Sequence, residues 1–303
     1  MFVNWNSLGV IAVVLAAEFL IGFFIVRAKA RAAAWLIPIM SVLSVHWITA
    51  QDQPTLRMLT LIAVLLAGMK VVTAAHAPTR LSWANWFFYC FLWIGMNPKL
   101  VETSGDGVDT VFLRRGLSAI AIGALLISLM ALYYVSIPIG AGYWLASLLL
   151  LISLSLVLHF GLLNINTALV QWLGYRGYSL FRSPFQSGSL SGFWSRTWNI
   201  PYIEMVSIVL FKPLASKVSR RVALWLSFLF SGLLHEVALT LPVQSHFGYA
   251  TAYFLLQAGL IESEQLLPQK RFPKFVFLTA LVLPLPWLFN SEIMARVFWP
   301  LVT

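Results

Sequence analysis

Apolar residues run through this chain in long blocks separated by short polar connectors, a pattern that sets the elements before any motif is considered. Blocks near Ser7 to Val26, Ala32 to Thr49, Met58 to Ala75, Gly116 to Val135, Tyr143 to Leu163, Val222 to Leu241, Gly248 to Leu266 and Phe275 to Phe289 approach the roughly 20 residues a helix needs to cross a bilayer core. They predict an all-α integral membrane protein, a polytopic bundle of about eight transmembrane helices with re-entrant or interfacial helices around a central chamber. The segment Leu81 to Met96 is short and rich in aromatic residues, so it is expected to enter the membrane only partly.

Composition agrees with that picture. Of 303 residues, 60% are hydrophobic and only 10% charged, and the mean hydropathy is +0.85, whereas soluble domains carry about 25% charged residues. The first block is followed by Arg27, Lys29 and Arg31 and preceded by no basic residue, so it is expected to remain as an anchor and not to be cleaved. The net charge of +10 does not point to nucleic acid, because the basic residues fall between apolar blocks with no soluble basic domain to hold a duplex. Basic loops facing the cytoplasm account for it better. With Leu81 to Met96 not crossing, Arg80, Lys99, Arg114, Arg115, the stretch from Asn164 to Arg221, and Lys270, Arg271 and Lys274 all share one side. In a bacterial cell such a multi-pass chain would lie in the inner membrane. No repeat or linker divides it, which predicts a single membrane-embedded domain over residues 1–303, with its motifs concentrated in 159–240.

Two polar features interrupt the apolar pattern. His235 and Glu236 lie inside the run Val222 to Val243, where ionisable groups are costly. Upstream, the stretch from Phe193 to Asn199 combines Trp194, Arg196, Trp198 and Asn199. On a helix, Ser227, Ser231 and His235 fall on one seam, Gly232 leaves space a turn below the histidine, and Glu236 points about 100° away and takes a packing or supporting role. A neutral imidazole can accept the proton of an alcohol as its oxygen attacks an activated acyl carbon. An asparagine amide can steady the developing oxyanion, or it can simply cap a helix. Glu18, His46 and Lys70 should pair between helices or line a cavity, and His159 should support the chamber.

These residues carry a resemblance. His159 to Leu163, then Ser189 to Asn199, then Ser231-Gly232-Leu233-Leu234-His235-Glu236 are similar in order and approximate gap to the wax-synthase-like branch of the membrane-bound O-acyltransferase family. Gly192, Ser195 and Thr197 depart from that branch's usual aspartate, glycine and second arginine. The resemblance implies catalysis by His235 and Asn199, substrate contacts at Trp194, Arg196, Trp198, Ser231 and Glu236, and an acyl-CoA donor meeting basic residues such as Arg196 and Lys212. It implies a lipophilic alcohol as acceptor and no cofactor beyond acyl-CoA as co-substrate. Two other readings stay open: a transporter using intramembrane charges, and a short-chain acetyltransferase that tailors a hydroxylated natural product or glycan. A metal site is disfavoured by five scattered histidines and the single cysteine, Cys90.

Overall fold

Apolar blocks of this length bury their backbone polar groups by folding as helices, and the computed structural model, which describes residues 5–105, 107–133 and 141–302, contains helices and turns but no strand among them. The helices used below are α1 (Trp5–Arg27), α2 (Arg31–Ile48), α3 (Pro54–His76), α4 (Trp83–Phe87), α5 (Thr110–Tyr133), α6 (Ala141–Ser155), α7 (Leu163–Trp172), α8 (Ile200–Val206), α9 (Arg220–His235), α10 (Tyr249–Gln265) and α11 (Lys274–Val282).

Six helical stretches among the described residues are long and apolar enough to cross a membrane: Ser7–Arg27, Arg31–Ile48, Pro54–His76, Thr110–Leu132, Gly142–Trp172 and Arg220–Val243. A seventh arises if Lys274–Leu288 and Ser291–Leu301, bent by 69°, are taken as one broken span. The count is below the eight expected because α10 has only 17 residues, roughly 25 Å, and carries Glu262 and Glu264 in its last turn. The aromatic segment divides into α4 and a π-turn at Phe88–Leu92, too short to cross, as its length predicted.

The most buried long helix is α3, which packs against α1 and α2. Polar groups at its ends and centre are tied down. Lys29, in the left-handed turn between α1 and α2, donates to the carbonyls of Ala77 and Thr79 at 2.7 Å each. Lys70 donates to the carbonyls of Tyr89 (2.8 Å), Trp93 (2.7 Å) and Gly95 (2.9 Å), and its ammonium lies 4.2 Å from the Tyr89 ring centroid. Its partners are therefore backbone carbonyls of the aromatic segment and not an acid on another span. His46 does form the interhelical pair expected, its Nδ1 lying 3.1 Å from the Arg57 guanidinium.

One close approach sets the site. At Gly232 on α9 a Cβ would sit 2.6 Å from the Cα of Thr251 on α10, so the space the sequence suggested beside His235 is filled by backbone. Gly232→Ala is expected to overpack this crossing and cost about 1–3 kcal/mol, read as a lower midpoint of thermal unfolding in detergent. An unchanged midpoint would show that the helices part without strain.

Candidate active site

The seam predicted on α9 is present. Ser227 Oγ donates to the Ala223 carbonyl at 2.7 Å, Ser231 Oγ lies 3.1 Å from the Ser227 carbonyl, and His235 Nδ1 lies 2.7 Å from the Ser231 carbonyl. A carbonyl only accepts, so Nδ1 carries the proton and Nε2 keeps its lone pair. Nε2 has no hydrogen-bond partner among the described residues, and the residue as a whole is half-buried. Phe254 of α10 lies against it, with ring centroids 4.3 Å apart.

His235 closes α9, and the chain continues as a π-turn, Glu236–Thr240. Two further π-turns build the same region: Leu156–Leu162, which holds His159, and Phe193–Thr197, which holds Trp194 and Arg196. Such turns insert a residue into helical register and recur at functional sites.

Asn199 adopts a left-handed conformation, φ 50°, and its Oδ1 accepts from the Tyr202 N–H at 3.3 Å, capping α8. Its amide hydrogens remain for another partner. The Tyr202 hydroxyl lies 2.6 Å from Ser231 Oγ, so Asn199 and His235 are joined through Tyr202 and Ser231 without touching. Burial pushes the Tyr202 phenol well above its ordinary range, which keeps it a hydroxyl.

The aromatic frame separates the remaining residues. Trp194 donates from Nε1 to Gln257 Oε1 at 3.2 Å and packs edge-on against Phe254, the ring that touches His235. Trp198 stacks on Phe193 and lies against Phe181 and His159, which gives His159 its supporting position. Arg196 is exposed and makes no ion pair among the described residues. Glu236 points away from the imidazole as expected. Its Oε1 accepts from the N–H groups of Gly248 (3.1 Å) and Thr251 (2.9 Å) and from the Thr251 hydroxyl (3.1 Å), the geometry of a carboxylate capping α10. That oxygen is fully committed to protein.

Three contributors were not singled out from sequence. Tyr202 is one and Gln257 another. The third is Glu264, which is buried and accepts from the N–H groups of Leu190 (2.9 Å), Ser191 (3.1 Å) and Phe272 (3.1 Å), anchoring the start of the tryptophan-rich segment. An acid in the last turn of an apolar helix was the available signal.

On the far face of α8, the Glu204 carboxylate accepts from the Tyr178 hydroxyl, while the N–H groups of Met96 and Asn97 lean toward it without reaching hydrogen-bond geometry. Burial holds its carboxyl above the usual range despite these partners. Because the folded pKa is raised, the protonated form stabilises the fold at low pH, and that contribution is lost as pH rises through the raised value. The wild-type unfolding midpoint is therefore expected to fall relative to Glu204→Gln as pH rises above the ordinary glutamate range. Parallel pH profiles for the two proteins would contradict this.

The fold and this centre together define a polytopic helical membrane protein with a histidine, a tyrosine, a serine and an asparagine converging at the ends of α8 and α9. Residues 178–256 match the model described as "Membrane bound O-acyl transferase family", and this segment contains both Asn199 and His235. A 106-residue stretch is 26% identical to a protein of Simmondsia chinensis named long-chain-alcohol O-fatty-acyltransferase; it amounts to 32% of this chain and 30% of that protein's length. The resemblance drawn from the motifs is thus to an acyltransferase family and to a wax-synthase-like relative within it.

Proposed function

We propose that the protein is a membrane-embedded O-acyltransferase that moves an acyl group from acyl-CoA to the hydroxyl of a lipophilic alcohol. The observation that carries this reading is the His235 ring, tied through Nδ1 to the Ser231 carbonyl and offering Nε2 to a partner the protein does not supply. In that state the imidazole is a general base already in the required tautomer.

Both substrates bind before chemistry. Nε2 of His235 accepts the proton of the alcohol as its oxygen attacks the thioester carbonyl carbon. The oxyanion that forms is held by the free amide hydrogens of Asn199. Collapse of the tetrahedral intermediate re-forms the carbonyl and breaks the C–S bond. The thiolate takes the proton back from the imidazolium, leaving an ester, CoA-SH and neutral His235. Trp194 and Phe254 give the acyl chain an apolar wall beside the ring. The name of the Simmondsia chinensis relative favours a long-chain alcohol as acceptor.

The test uses purified protein in detergent with labelled palmitoyl-CoA or acetyl-CoA against hexadecanol and a panel of hydroxylated acceptors. Ester and free CoA should appear in equal amounts and only when donor and acceptor are both present. Folded protein that releases no CoA with any pair would overturn the reading. Preference for acetyl-CoA with a polar acceptor would assign a tailoring acetyltransferase instead.

A further inference from the structure

A cavity of about 470 Å³ lies between the end of α3, the loop after the aromatic segment, and α8, and His235 is not among its lining residues. Its polar lining consists of His76, Asn97, Lys99, Glu204, Ser207 and Lys212. The volume falls within the roughly 300–1,000 Å³ of small-molecule sites.

The charges a ligand can reach there are positive. Lys99 and Lys212 are both exposed, and neither side chain has an ion-pair or hydrogen-bond partner among the described residues. His76 spends Nδ1 on the Val72 carbonyl at 2.9 Å, leaving its other ring nitrogen for an incoming group. The one acid in the lining, Glu204, has one carboxylate oxygen taken by the Tyr178 hydroxyl, and its other oxygen is buried. Two unpaired lysines around a cavity of ligand size suit phosphate oxygens.

The cavity also shares a wall with the catalytic centre. Helix α8 begins at the Asn199 cap and turns Tyr202 toward Ser231, while Ile203 and Glu204 face the cavity, followed by Ser207 just beyond its end. Asn199 is thus separated from these lining residues by roughly 6–12 Å along the helix axis. On the other flank, Trp35 touches both His76 and Phe230 of α9, with ring centroids 6.3 Å and 5.9 Å away.

We propose that this cavity seats the phosphorylated end of the acyl donor, with Lys99 and Lys212 meeting its phosphates so that the thioester arm reaches around α8 to Asn199 and His235. The assignment rests on the acyl-CoA reading above. It keeps Lys212 among the anion contacts, adds Lys99 from a distant part of the chain, and leaves out Arg196, which does not line the cavity. An anionic lipid headgroup has the same phosphate chemistry and is the source to be distinguished.

Calorimetric binding of CoA, with no acceptor present, to wild type and to the double variant Lys99→Gln/Lys212→Gln tests the proposal directly. Binding should weaken by at least about tenfold in the variant, as expected when two charge contacts are lost. In turnover, KM for palmitoyl-CoA should rise with kcat unchanged, while palmitoyl-pantetheine, which lacks the phosphates, should react equally with both proteins. CoA bound equally tightly by the variant would overturn the assignment. So would displacement of CoA from wild type by phosphatidylglycerol but not by phosphatidylcholine in nanodiscs, which would give the cavity to lipid. Because binding is read without turnover, protein that binds CoA through these lysines yet makes no ester would refute the catalytic reading and leave the cavity assignment intact.

Discussion

Replacing His235 by glutamine should reduce ester formation by about 10²–10⁴-fold while the protein remains folded. Glutamine can still donate to the Ser231 carbonyl, the contact that fixes the native ring, but its amide cannot act as a base. The loss should therefore appear in kcat, with the KM values for both substrates little changed. An Asn199→Asp variant gives the matching control on the oxyanion side. Aspartate tolerates the left-handed backbone and keeps an oxygen for the Tyr202 N–H, yet it has no amide hydrogens, so kcat should fall by roughly 10²–10³-fold. Full turnover by His235→Gln would remove the imidazole from the mechanism.

Lys70→Met should destabilise the fold more than Gly232→Ala, at a cost of about 3–5 kcal/mol. The ammonium is buried, and its three N–H groups satisfy three carbonyls of one segment, at Tyr89, Trp93 and Gly95. Methionine fills the space of the stem and leaves all three acceptors without a partner in a region where little water can replace it. The unfolding midpoint in detergent should drop by roughly 10 °C. Damage should also spread to the next residues, because the Tyr89 hydroxyl donates to the Met96 carbonyl at 2.9 Å and the chain then runs directly into Asn97 and Lys99. Protease sensitivity between residues 88 and 99 checks that extension. A variant as heat-stable as wild type would mean that the segment holds its shape without the lysine.

Helical character, the shortness of the helices in the aromatic segment and the Ser227–Ser231–His235 seam could all be read from the sequence, because each depends on local spacing. The 100° offset of Glu236 from His235 was legible for the same reason, and its carboxylate does point elsewhere, onto the start of α10. Long-range partners were hidden. Tyr202 meets Ser231 across 29 positions, Trp194 meets Gln257 across 63, and Glu264 meets Leu190 across 74, so no periodicity relates them. The π-turns add a second reason. Each shifts helical register by a residue, so faces drawn at 3.6 residues per turn lose their aim within Phe193–Thr197 and beyond His235. The space expected beside Gly232 failed on a third ground, since one helix viewed alone cannot show that Thr251 of its neighbour fills it.

Helix α8 is only two turns long, yet it presents an amide at its tip, a phenol on one flank and the cavity-lining residues on the other. Its length therefore acts as a ruler. Deleting or adding one residue before Tyr202 would swing both flanks by about 100° relative to the amide, and a change between Tyr202 and Glu204 would swing one flank relative to the other. A change of spacing between Asn199 and Glu204 therefore misplaces the amide, the phenol and the cavity wall relative to one another, whereas a single substitution there disturbs one of them.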